Sequence, residues 1–81
     1  MTAAQRPVKL QANVAGAWKD VLLFDAGNDH AAANVQAGVA QLYEAAPGTS
    51  WRITTRDRVP VVLRHLGRNT YGLWVDRSYN D

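Results

Sequence analysis

The residues with chemistry to offer are few. Two histidines, His30 and His65, stand 35 positions apart, and the 81-residue chain has no cysteine. His30 follows Asp29 and lies five positions after Asp25, which invites a metal or general-base reading. The pattern stops short of either. A metal site needs further ligands at fixed spacing, and no H-E-x-x-H-like arrangement occurs. An acid followed by histidine is also ordinary at a helix start, where cap and dipole account for the acid without any ligand role. His65 alternates with Val61 and Leu63 as a partly buried strand histidine would, and no nucleophile or orienting acid accompanies it. The six glycines stand singly, so neither of the phosphate-cradling patterns, G-x-G-x-x-G or G-x-x-x-x-G-K, is present. The expectation is a non-enzymatic protein with no catalytic residues, no metal and no cofactor. An enzyme built around Asp25, Asp29 and His30 remains a remote third option.

Arginine supplies the next signal. Residues 47–81 hold six arginines against three aspartates, a balance of +3, whereas residues 1–46 balance at −1. Arg52, Arg56, Arg58, Arg64 and Arg68 are interleaved with Trp51, Tyr71 and Trp74. Guanidinium forks suit phosphates, and aromatic rings on a sheet can stack bases. The plainer account makes these arginines solvated residues of an outer face, with Trp51, Ile53, Leu63, Leu73 and Val75 as core. A net charge of +2 is too small to imply a nucleic-acid partner by itself, and no glycine–aromatic RNA-binding consensus is present. Nucleic acid is therefore the alternative partner, with those five arginines as its contacts.

These side chains must be positioned by strands and one helix. Val8, Leu10, Ala12 and Val14 alternate with Lys9, Gln11 and Asn13, the pattern of a half-buried strand. Ala15-Gly16 is the turn, because Gly16 accepts positive φ and strand patterning resumes at once. Ala17 to Phe24 follows, with Trp18, Asp20, Leu22 and Phe24 expected on one face and Ala17, Lys19, Val21 and Leu23 on the other. Its apolar run Val21–Phe24 suits a strand covered on both sides or by a partner. The helix is expected over 28–46: Val35, Val39, Leu42 and Ala46 recur at helical spacing, Asn28 caps it, and Pro47-Gly48 ends it. Three further strands are expected over 51–55, 59–66 and 70–76, with Pro60 marking an edge or a strand entrance.

A β-β-α-β-β-β order can bury one helix face on a mainly antiparallel sheet, giving a two-layer α+β domain. The element order is similar in outline to a β-grasp, which implies nothing about function. Residues 8–77 form the single domain, 1–7 a flexible tail and 78–81 a polar end. The 47% hydrophobic content supports a folded chain, and a chain of this size has only a small core to hold it. The absence of cysteine, of an apolar leader and of any long apolar run suits a cytoplasmic protein with no membrane span.

The face of the helix away from its apolar stripe is the unusual one. Asn34, Ala37, Gly38 and Gln41 carry no charge, whereas a solvated helix face normally does. Glycine inside a helix costs about 1 kcal/mol relative to alanine, and Gly38 calls for a close-packing reason. These four residues are the candidate protein interface. With three tryptophans in so short a chain, they make a protein-interaction module, self-associating as a homodimer, the first functional expectation.

Overall fold

Alternation in the first strand turns Val8, Leu10 and Ala12 to one side, where all three are buried, and they seat the helix. The computed structural model describes residues 6–76. Strands β1 (Pro7–Val14) and β2 (Ala17–Asp25) form a hairpin. Its two turn residues, Ala15 and Gly16, both have positive φ (54° and 84°), matching the right-handed twist of the flanking strands. Helix α1 (Asp29–Ala45) follows, then β3 (Trp51–Thr55), β4 (Val62–Leu66), a 3-10 turn at Arg68–Thr70 and the two-residue β5 (Val75–Asp76). The sheet order is β2-β1-β3-β4-β5, with every neighbouring pair antiparallel. One helix packed on a five-stranded antiparallel sheet is the expected α+β architecture. Residues 1–5 and 77–81, which include most of the expected tail and all of the polar end, lie outside the described residues. Arg6 and Pro7, also assigned to the tail, are described: Pro7 opens β1, and the Arg6 N–H donates to Asp25 Oδ1.

The helix begins and ends as its sequence requires. Asn28 caps it by accepting from the Ala31 N–H, and Asp29 sits in the first turn near the positive helix end. Ala46 closes it, donating its N–H to the Leu42 carbonyl just before Pro47. Val39 is buried and Val35 half-buried, but Leu42, expected in the core, is 54% exposed. It borders an open groove together with Leu10, Val21, Leu22 and Trp51 instead.

Two register shifts decide which side chains share a face. Directly opposite residues of an antiparallel pair project to the same side. Leu10 lies opposite Leu22, but Gln11 lies opposite Asp20, so Val21 is bulged out of the pairing. Leu22 and Phe24 therefore join Leu10 and Val8 on the helix side, whereas Asp20 and Trp18 join Gln11 and Asn13 on the outer face. The expected single face of Trp18, Asp20, Leu22 and Phe24 is cut in two by one extra residue. A second shift in β4 skips Leu63 between Arg64, opposite Ile53, and Val62, opposite Thr54. Arg64 thereby reaches the helix, where its Nη1 donates to Gln36 Oε1 and its Nε pairs with Asp76 at 2.7 Å.

The C-terminal part departs most from its alternation. β4 starts at Val62 rather than Val59, because Thr55 first closes the loop: its Oγ1 accepts from the Val61 N–H and its own N–H donates to the Val61 carbonyl. The expected strand over 70–76 shrinks to Val75–Asp76. Thr70 instead locks a turn, its Oγ1 accepting from Gly67 N–H and donating to the Gly67 carbonyl, each at 3.1 Å. Tyr71 and Gly72 then take positive φ, and a Cβ at Gly72 would lie 2.9 Å from the Tyr43 ring. The face assignment reverses with it: Leu73 is 66% exposed, while Trp74 packs on the core and donates its Nε1–H to the Gln36 carbonyl at 3.0 Å.

Candidate functional site

Two surfaces stand out, one on each side of the sheet. On the outer face, Gln11 is 5% exposed and spends both ends of its amide. Its Nε2 donates to Asp20 Oδ1 and its Oε1 accepts from Arg52 Nε, both at 2.7 Å. Lys9 completes the row with its ammonium 3.6 Å from Asp20. The bond from Gln11, aided by Lys9, holds the Asp20 carboxyl below its ordinary value. The Arg52 guanidinium lies 4.1 Å from the centre of the Trp18 ring, a cation–π stack, and burial pulls it below the usual arginine value without discharging it. Beside this stack opens a cleft of about 240 Å³ lined by Trp18, Arg52, Val62, His65, Arg68 and Asn69, among others.

The other surface lies where α1 overhangs β2. An open groove of about 500 Å³ runs between them, lined by Leu10, Val21, Leu22, Val35, Leu42 and Trp51, with Asn34 and Gly38 on its helix wall. Asn34, Ala37, Gly38 and Gln41 are all exposed, so the structure gathers them on one side of the helix, and two of them border the groove. A Cβ built at Gly38 meets nothing within 4 Å, so no contact inside the domain requires glycine there. Gly38→Ala should therefore raise the stability of a dilute sample by roughly 1 kcal/mol, read as a higher thermal midpoint.

The chain matches no protein-family model, no curated protein and no solved structure.

The five arginines do not assemble on one face. Arg52 and Arg68 share the outer cleft. Arg56 and the exposed Arg58 lie at the far end of β3, where Arg56 Nε donates to the Val8 carbonyl. Arg64 is on the helix side. Asp25, Asp29 and His30 are neighbours in sequence with separate duties: Asp25 Oδ1 accepts from Arg6 and Gly27 N–H groups, each at 2.8 Å, and His30 Nε2 lies 3.3 Å from Asn34 Nδ2. Among the described residues no cluster of metal-ligating side chains forms, and no helix is long and apolar enough to cross a membrane. Trp18 and Gln11 carry no sequence signal as a site, because only the bulge puts them on the same face, whereas Val21 belongs to the apolar run Val21–Phe24 expected to meet a partner.

The two backbone N–H groups on Asp25 hold its carboxyl below the ordinary value of 3.8, as the Gln11 bond does for Asp20. A carboxylate whose pKa is lower in the folded chain stabilises the fold fully above the unfolded value and loses that contribution as pH falls through the folded one. Acidification below about pH 4 should accordingly lower the urea midpoint. Asp25→Asn keeps the acceptor oxygen and removes the charge, and its midpoint should fall less steeply over the same range in parallel titrations.

Proposed function

We propose that the protein is a small interaction module that works as a homodimer, two copies packing through the groove and the uncharged helix wall beside it. The observation that carries this reading is the groove itself. Val21, Leu22 and Leu42 line it and remain exposed, Val21 by 50%. Apolar surface left in a continuous patch is stabilised when a partner removes it from water, by about 25 cal/mol per Å². A second copy suits the wall because Asn34, Ala37, Gly38 and Gln41 bring no charge to it, so like surfaces meet without repulsion although each chain carries +2. Gly38 allows the closest backbone approach along the helix, and a two-fold arrangement would seat Leu42 of each copy in the groove of the other. Edge-to-edge pairing of β2 suits the strand less, since a bulge at Val21 breaks the regular row of outward amide groups.

A standard interface takes about 800 Å² from each partner, here roughly one-seventh of the 5609 Å² accessible surface. Sedimentation equilibrium should return twice the 8.9 kDa of one chain. A strictly monomeric mass at several hundred micromolar would overturn the proposal.

A further inference from the structure

The outer cleft opens beside Trp18 and Arg52 on the outer face, sharing only Trp51 with the groove among the described residues, and its chemistry is different. Arg52 is held in place before any ligand arrives. Trp18 supports the face of its guanidinium at 4.1 Å, and Gln11 takes its Nε at 2.7 Å. Gln11 is in turn fixed by Asp20, which Lys9 balances. The Gln11 bond uses Nε alone, and Arg52 itself lines the cleft, where the two-pronged edge of a guanidinium is the part that binds oxyanions. Arg68, at the start of the 3-10 turn, lines the same cleft, with Ser50 and Asn69 as neutral polar neighbours. Among the described residues no carboxylate lines the cleft, and Asp20, the nearest in the network, already accepts from Gln11.

We propose that this cleft binds a phosphate monoester, its phosphate lying against Arg52 and Arg68. Two guanidinium groups match a group carrying close to two negative charges at neutral pH, whereas a carboxylate would balance only one of them. A space of about 240 Å³ is below the usual range for a whole drug-sized ligand, and suits a single phosphate with the first atoms of its ester. Trp18 and Val62 supply apolar wall for those atoms. Pinning Arg52 in advance lowers the ordering cost of binding, which is the physical use of an arginine stacked on tryptophan and bonded at Nε.

The phosphate can belong to a small molecule or to the end of a nucleic-acid strand, and the test separates these sources. Nitrogen-15 spectra of the full chain would be titrated with phenyl phosphate, with acetate at matched ionic strength, and with a short single strand with and without a 5′ phosphate. Saturable shifts of the Arg52 Nε–H, the Trp18 indole N–H and the amides of Gly67 to Asn69 with phenyl phosphate are the expected result. Arg52→Gln and the more exposed Arg68→Gln should each weaken binding about tenfold or more, while Arg58→Gln, away from the cleft, should leave it within about twofold. Tighter binding of the phosphorylated strand than of its twin assigns the site to chain ends, and binding of phenyl phosphate alone assigns it to small esters. Acetate binding as tightly as phenyl phosphate, equal binding of the two strands at these residues, or an Arg68→Gln variant that binds normally would each overturn the proposal.

Discussion

Leu66→Ala should remove a substantial share of the protein's stability at 25 °C. Leu66 ends β4, lies opposite Trp51 and is 1% exposed, the largest apolar side chain sealed so completely. Among the described residues its cluster contains four other buried residues, Val8, Leu10, Val39 and Ile53, contributed by β1, α1 and β3. Truncating a buried leucine costs about 2–5 kcal/mol, the transfer term plus the cavity left behind. A chain of this length is expected to have roughly 4–12 kcal/mol in total, so a substantial share of it disappears with one side chain. At a urea slope of about 1 kcal/mol per molar, the midpoint should drop by about 2 M or more, followed by circular dichroism. Leu66→Met, which keeps the volume, should cost less than about 1.5 kcal/mol. A loss below 1 kcal/mol for the alanine variant would show that the core is not organised around the end of β4.

Leu42→Lys should separate the proposed homodimer while sparing the fold. Because Leu42 is more than half exposed, a lysine there keeps its ammonium in water and its stem along the groove, and the stability of a dilute sample should change by about 0.5 kcal/mol or less. In the proposed dimer the same side chain is buried in the partner's groove, where two lysines related by the symmetry axis would be desolvated together. Truncation or charge at such a central position commonly costs 2 kcal/mol or more, and with both copies altered the dissociation constant should rise at least about a hundredfold. Sedimentation equilibrium of the variant reads this directly, with urea denaturation as the control for folding. Gly38→Leu gives a second reading, since a Cβ there meets open space in one chain, whereas in the proposed dimer a larger side chain would meet the partner's helix. Variants that sediment like the unaltered protein would remove Leu42 and Gly38 from any interface.

Local rules were enough for the helix. Its bounds follow from Asn28, whose side chain satisfies an orphan N–H, and from Pro47, which disfavours helical backbone just before it; both act within a few residues. The β1 strand and the Ala15-Gly16 turn were readable for the same reason, as one face of β1 is buried and the turn sits where the pattern restarts. The antiparallel α+β architecture followed, because one amphipathic helix and a set of short strands have few ways to bury their apolar sides.

Alternation failed wherever the count of residues between partners was not regular. The bulge at Val21 is set by how β2 pairs with β1, and no residue type at that position announces it. One unpaired residue moves Trp18 and Asp20 to the outer face, which is what creates the stack on Arg52 and the bonds through Gln11. Residues 70–76 alternate as a strand would, yet Thr70 finds better partners in the Gly67 turn, and Leu73 is left outside while Trp74 goes in. The uncharged helix wall at Asn34, Ala37, Gly38 and Gln41 was visible from composition alone. The apolar groove beside it was not, because its walls come from α1, β1, β2 and β3 together and depend on how the helix packs on the sheet. The sequence alone determined the helix, the hairpin and the fold class, since capping, turn chemistry and amphipathic patterning act between near neighbours. Which side chains face one another was decided by the tertiary structure, because strand register is a property of the pair.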